Sequence, residues 1–220
     1  MTLPPEGNST VFLIDDDDRI RTSLARALRK RDFAVQSFAS AEDFLEAYDK
    51  GRPGCLVLDY GMPGLNGLDL QKHLAENSSA IPIIFISGHA GVPESVQAMK
   101  AGAVDFLEKP FRQTTLVACI NAAFAADRAA RSAEEGARTA RNNFERLTAR
   151  EKEIAQFMIA SPSNTSSKEI GRHLNISPRT VDHHRARILE KMAIHSVAEL
   201  IDLSISAALL QTNRVGENAG

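Results

Sequence analysis

Five polar side chains stand where apolar runs of this chain end: Asp15, Asp16, Asp59, Ser87 and Lys109. Three carboxylates gathered together are costly unless a cation lies among them. Oxygen is the only donor type these residues offer, so Mg²⁺ is the natural ion. It keeps waters and shares phosphate oxygens. Lys109 and the Ser87 hydroxyl can then hold the remaining oxygens of a phosphoryl group. Asp59 is central to the set and is the candidate nucleophile, giving an aspartyl-phosphate. Each residue also has a plainer reading: a helix cap for the acids, a strand-end serine, a lysine before proline on a surface turn. The chemical reading gains its weight from all of them falling at strand ends in register.

The elements that must position these residues follow from periodicity. Residues 10–14 form a β-type run leading into Asp15-Asp16-Asp17-Asp18. Four like charges repel, so they are solvated or neutralised. Asp18 suits the N-cap of the helix that follows, which explains Asp17 and Asp18 better than Asp15 and Asp16. Ile20, Leu24, Ala27 and Leu28 recur at helical spacing. Further strands are expected at residues 33–38, 56–58, 81–86 and 104–107. Helices are expected to open at Ser40, near Gly67, at Pro93, and at Thr114 or Thr115. Alternating strands and helices imply an α/β fold, a doubly wound five-stranded parallel sheet. The strand order 2-1-3-4-5 brings the carboxyl ends of strands one, three, four and five to one crevice.

Composition sets outer limits. The chain has 220 residues, 43% hydrophobic and 25% charged, a globular balance with room for two domains. No apolar run is long enough to span a bilayer, and residues 1–10 carry no signal pattern, so the expectation is cytoplasmic residence without membrane attachment. Cys55 and Cys119 lie far apart in apolar segments and read as small buried hydrophobes. The net charge of -2 gives no global sign of nucleic-acid binding. Its distribution does, because residues 168–191 gather Lys168, Arg172, Arg179, Arg185, Arg187 and Lys191.

Residues 10–128 resemble the receiver domain of two-component response regulators. The matching residues are Asp15-Asp16 after an apolar strand, Asp59 followed by Met62-Pro63 and Gly67, Ser87 after the fourth strand, and Lys109-Pro110. The resemblance implies that Asp59 takes phosphate from a phosphohistidine of a cognate sensor histidine kinase. It implies that Asp16, Asp59 and the Gly61 carbonyl bind Mg²⁺ directly and that Asp15 helps through water. It makes Ser87 the switch hydroxyl, Phe106 the aromatic that turns inward, and Lys109 the partner of the phosphoryl group. Phe106 replaces a tyrosine found in some members, and the family tolerates both. Slow autodephosphorylation and a homodimer on phosphorylation are further implications.

Residues 129–146 form a linker of Ala, Arg and Glu, good helix formers with few apolar anchors past Phe124. A helix continuing the fifth receiver helix is favoured over a flexible tether. Residues 147–212 then read as a small all-α domain. Thr148 and Glu151 make a capping box, Ser166 or Ser167 caps a second helix, and Asn175 suits its C-cap. Ser177-Pro178 opens a third helix, with Val181, Ile188, Leu189 and Met192 inward. Residues 198–210 supply a fourth. Residues 1–9 and 213–220 are left as tails.

A polar-faced third helix can be nothing more than a solvated surface. Against that, residues 147–210 resemble the LuxR/FixJ-type helix-turn-helix output domain. The resemblance is carried by Leu147-Thr148, Arg150-Glu151, Glu153, Lys168-Glu169-Ile170, Ile176 to Val181, His184 and Lys191. It implies base-facing positions at Asp182, His183 and Ala186 with Arg187 beside them, Asp182 either accepting from a cytosine amino group or orienting Arg185 or a neighbour, and DNA-backbone contacts at Thr180, His184 and Lys191. Lys168, Arg179 and Val181 complete the DNA-binding set. The turn at residues 161–167 is about three residues longer than is usual in the family. The whole chain therefore resembles a FixJ/NarL-type response regulator, a phosphorylation-controlled transcription factor acting on double-stranded promoter DNA, where RNA polymerase would be a further partner. Two rivals stand beside this. A haloacid-dehalogenase-type phosphatase would need an acid two residues after Asp59, where Gly61 stands. A relay protein would have a second domain that binds protein only.

Overall fold

The structure, a computed structural model, describes residues 9–77, 79–88 and 91–209, with only the backbone of Val92. Residues 213–220, the last three of 147–212 and most of 1–9 lie outside that range. The chain divides into two units, Met1–Arg131 and Ser132–Gly220.

In the first unit five parallel strands, β1 (Thr10–Ile14), β2 (Ala34–Phe38), β3 (Gly54–Asp59), β4 (Ile83–Ser87) and β5 (Asp105–Glu108), pair in the order β2-β1-β3-β4-β5. The crossovers are α1 (Asp18–Arg29), α2 (Ala41–Ala47), α3 (Gly67–Glu76) and α4 (Val92–Lys100), and α5 (Gln113–Glu145) follows β5. Strand side chains alternate between two cores, as a period of two requires. Val11, Leu13, Val57 and Ile86 pack with Leu28 of α1 and Leu116, Ile120 and Phe124 of α5. Phe12, Ile14, Leu58 and Phe85 pack with Phe44, Leu70, Leu74 and Ala98 of α2, α3 and α4. Both sheet faces are covered, which is why β1, β3 and β4 are continuous apolar runs. Cys55 and Cys119 are free and buried.

Local chemistry sets the helix starts. Asp17, not Asp18, caps α1: its carboxylate accepts from the Arg19 and Ile20 amides. Asp18 is the first helical residue and pairs with Arg21 at 2.7 Å. Ser40 caps α2 through the Asp43 amide. Helix α5 begins at Gln113, before both threonines expected to cap it. Its last receiver turn is held by Asp127, which is 2% exposed and accepts from the Gly54 amide. Arg131 chelates Asp127 and donates to the carbonyls of Lys50, Gly51 and Arg52.

The second unit holds the remainder of α5 together with α6 (Ala149–Ala160), a 3-10 turn (Pro162–Asn164), α7 (Ser167–Leu174), α8 (Pro178–Met192) and α9 (Val197–Ser206). Its core joins Ile154, Met158, Ile170, Val181, Ile188 and Leu200 to Ala137, Ala140, Phe144 and Leu147. The expected linker thus contributes one face of its helix to this core. Thr148 and Glu151 form the capping box, Ser166 caps α7, and Ser177 caps α8 with Pro178 in its first turn. Asn175 takes the left-handed conformation (φ 53°) that ends α7. A Cβ on Gly171 would lie 2.7 Å from the Ile176 carbonyl oxygen, so only glycine lets α7 approach the turn into α8 so closely.

Candidate functional site

The parallel register carries the strand ends to one edge of the first unit. Ile14 is opposite Leu58, Asp59 opposite Ile86, and Ser87 opposite Glu108. The residues just beyond these positions therefore converge. One ligand oxygen each from Asp15, Asp16 and Asp59 can be chosen so that all lie within 4.8 Å of one another. Lys109 joins them, its Nζ donating to Asp15 Oδ2 and Asp59 Oδ2, each at 2.8 Å. The Lys109 amide donates to the Ser87 carbonyl at 2.7 Å, which fixes the loop after β5 against the end of β4.

The three acids differ in setting. Asp15 is fully buried, and its second oxygen accepts from the Asp17 amide at 2.9 Å. Burial pushes its carboxyl above the ordinary range, against the pull of the Lys109 ammonium. Burial works to lower Lys109, but Asp15 and Asp59 outweigh it and hold the ammonium above its usual range. Asp16 is exposed and Asp59 half-buried, with Asp59 Oδ1 accepting from the Gly61 amide at 3.2 Å. One ammonium against three carboxylates leaves a negative excess that a divalent cation matches. An all-oxygen donor set with two accessible carboxylates fits Mg²⁺. Gly67 closes the loop after Asp59: a Cβ there would meet Asp59 O at 2.9 Å and the Phe85 ring at 2.8 Å.

Ser87 is buried at the end of β4. Phe106 is half-buried and stacks on Phe85, with ring centroids 6.0 Å apart. Tyr60 meets both rings edge-on. Reading the sequence did not single out Tyr60, although its place beside Asp59 was a signal. It also passed over Arg21, which donates to the Asp15 carbonyl at 2.7 Å and ties α1 to the acidic loop.

In the second unit α8 presents Arg179, Thr180, Asp182, His183, Ala186 and Arg187 on its exposed side, and Lys168 is exposed on α7. His184 is half-buried, and its Nδ1 is sealed from solvent with no hydrogen-bond partner among the described residues. Two residues of the expected DNA-binding set have partners within the domain. Val181 is fully buried in the helical core and has no surface to offer. Lys191, its side chain 30% exposed, donates to Glu151 Oε2 at 2.6 Å. Glu151 is 2% exposed and also accepts from the Thr148 amide. Burial pushes its carboxyl up, but Lys191 and the Thr148 groups prevail and hold it at about 2.

A doubly wound sheet with an acid cluster and lysine at its carboxyl edge, followed by a helix-turn-helix, defines a receiver joined to a DNA-binding output domain. Residues 11–121 match the family described as response regulator receiver domain, and residues 145–204 match bacterial regulatory proteins, luxR family. The transcriptional regulatory protein FixJ of Bradyrhizobium diazoefficiens is 40% identical over 200 residues, 91% of this chain and 96% of that protein. The response regulator protein TodT of Pseudomonas putida is 38% identical over 193 residues, 88% and 84% of the two chains. The solved structure of the response regulator StyR is similar with a TM-score of 0.75 and 38% identity, covering 90% of this chain and 99% of that one. The chain belongs to the two-component response regulators with a LuxR-type output domain, the family of FixJ. It is a regulator of transcription and not an enzyme in the ordinary sense. No helix among the described residues is long and apolar enough to cross a membrane.

Proposed function

We propose that Asp59 is the phosphoacceptor and that its phosphorylation controls DNA binding by the output domain. The observation that carries this is the acid cluster with Lys109 bridging Asp15 and Asp59. The donor is a phosphohistidine of a sensor kinase. An Asp59 carboxylate oxygen forms the bond to phosphorus as the bond to the imidazole nitrogen breaks, and the imidazole recovers a proton from water. Mg²⁺ would be held by Asp16, Asp59 and the Gly61 carbonyl, with Asp15 acting through water. When bound it neutralises charge on the transferring phosphoryl oxygens. Lys109 is placed to exchange its Asp59 contact for a phosphoryl oxygen. Ser87 would supply a hydroxyl to another, with Phe106 following it inward. Slow hydrolysis of the acyl phosphate returns the resting state.

Phosphorylation would favour a dimer through the α4 face, where Val96 and Met99 stand 44% and 45% exposed. Ile205 on α9 is 76% exposed and offers a second contact for output domains on DNA. The DNA-contacting residues are then Lys168, Arg179, Thr180, His183, His184, Ala186 and Arg187, with α8 in the major groove. The protein would act in the cytoplasm, and RNA polymerase would meet it at the promoter. Labelling with acetyl phosphate and Mg²⁺ tests the acceptor: Asp59→Asn abolishes it, and labelling at the wild-type level would move the acceptor elsewhere. Asp16→Ala weakens Mg²⁺ binding in a metal titration without phosphate, and an unchanged affinity would remove Asp16 from the ligand set.

A further inference from the structure

Asp182 is a carboxylate on the exposed side of a helix that must approach phosphates. Its own contact explains why it is tolerated. The Ser167 hydroxyl donates to Asp182 Oδ1, linking α8 to the first residue of α7. Arg185, three residues on and so on the same side of α8, donates to the Thr165 carbonyl at 2.9 Å and to Ser167 Oγ at 3.3 Å. The Ser167 hydroxyl therefore gives its proton to an acid and accepts from a guanidinium, which fixes its rotamer. The residues so held end the long turn. Ser161 to Asn164 closes through a backbone bond at 2.9 Å, Thr165 is held by Arg185, and Ser166 caps α7. Midway along α7, Gly171 packs against the turn into α8. Helix α7 is thus held to α8 at its start and to the turn into α8 at its middle. Asp182 also faces the start of α7, where backbone amides favour negative charge.

We propose that Asp182 and Arg185 are positioning residues: with Ser167 they latch the lengthened turn and the start of α7 to the recognition helix, setting how α8 enters the groove, and they read neither base nor phosphate. This rests on the DNA-binding reading of the output domain and deepens it. One oxygen of Asp182 and the Nη1 of Arg185 are engaged inside the motif, which holds both side chains in place.

The test uses the full chain, treated with acetyl phosphate and Mg²⁺, and a duplex that the wild-type protein enriches from a random-sequence pool. A scrambled version of that duplex serves as the comparison. Ser167→Ala and Asp182→Ala should each weaken binding to the enriched duplex about 5- to 10-fold, the scale of one lost hydrogen bond. The double variant should be no worse than the weaker single one, because both remove the same link. Ser167→Thr keeps the hydroxyl and should restore affinity. The salt slope of Arg185→Ala and the base preferences of every variant should match the wild type. The latch is overturned if Asp182→Ala changes the preferred base at one position while Ser167→Ala binds normally. Additive losses, or a salt slope shallower by about one unit in Arg185→Ala, would equally overturn it. If the wild-type protein enriches no duplex at all, the DNA-binding reading itself falls, a result distinct from any of these.

Discussion

Lys191 carries the sharpest test of how this output domain works. On the surface of α8 it would grip a phosphate; in the structure its ammonium lies 2.6 Å from a carboxylate that is almost wholly buried. Lys191→Met removes the charge and keeps most of the apolar stem. Breaking a buried ion pair by deleting one partner costs about 3–5 kcal/mol, because the other charge is left in a poor solvent. The Lys191 side chain is itself 30% exposed, so solvent screening brings the cost below that range, to about 2–3 kcal/mol. At 1.36 kcal/mol per decade this is roughly a 30- to 150-fold loss of protection in amide hydrogen exchange. The loss should appear in α6 and α8 of the intact protein, with receiver amides as the internal reference. The salt slope of DNA binding should not move, since Glu151 already neutralises the lysine. Normal protection together with a slope shallower by about one unit would refute this and return Lys191 to the DNA backbone.

Three further outcomes rest on the same packing. The folded Glu151 carboxyl sits at about 2 against an ordinary 4.5, so the domain gains stability above pH 4.5 and loses it as the pH falls toward 2. The loss amounts to about 3 kcal/mol, and exchange measured down that range should show it for wild type but not for Glu151→Gln. Phe144→Ala should destabilise the second unit by about 3–5 kcal/mol and leave the receiver untouched, as its ring is 6% exposed in the helical core; unchanged exchange in α6 and α9 would mean that the end of α5 is no part of that core. His183→Ala should cost about 1–3 kcal/mol on a preferred half-site and little on a scrambled one, and equal weakening of both would make its role positional.

What the sequence disclosed depended on whether the signal was local. The sheet was legible because β1, β3 and β4 are apolar runs ending in polar residues, and the acid cluster was legible because its members are those endings. The capping box and Ser177-Pro178 were legible because a cap needs only its own first turn. The core role of Ala137, Ala140 and Phe144 was not: alanine serves as readily in a solvated helix as in a close-packed one. The ion pair of Lys191 with Glu151 spans 40 residues of sequence, and nothing in either neighbourhood announces the other. Asp17 and Asp18 are each suited to cap α1, and one residue of register decides between them.

These distant pairings alter how the charge of the output domain should be counted. Its sequence offers a cluster of cations from Lys168 to Lys191 that looks uniformly suited to DNA. The fold pairs Lys191 with Glu151 and engages Arg185 on the α6–α7 turn. Lys168, Arg172, Arg179 and Arg187 are left exposed, without an ion pair among the described residues. The acids are sorted in the same way. Glu151 is buried under Lys191, and Asp182 is bound to Ser167. An interface that must meet phosphates cannot present free carboxylates without repulsion, and a core cannot hold a free charge without a desolvation cost. Coupling Lys191 to Glu151 meets the second demand, Ser167 holds Asp182 to the start of α7 through one oxygen, and Lys168, Arg172, Arg179 and Arg187 remain as the exposed cations of α7 and α8.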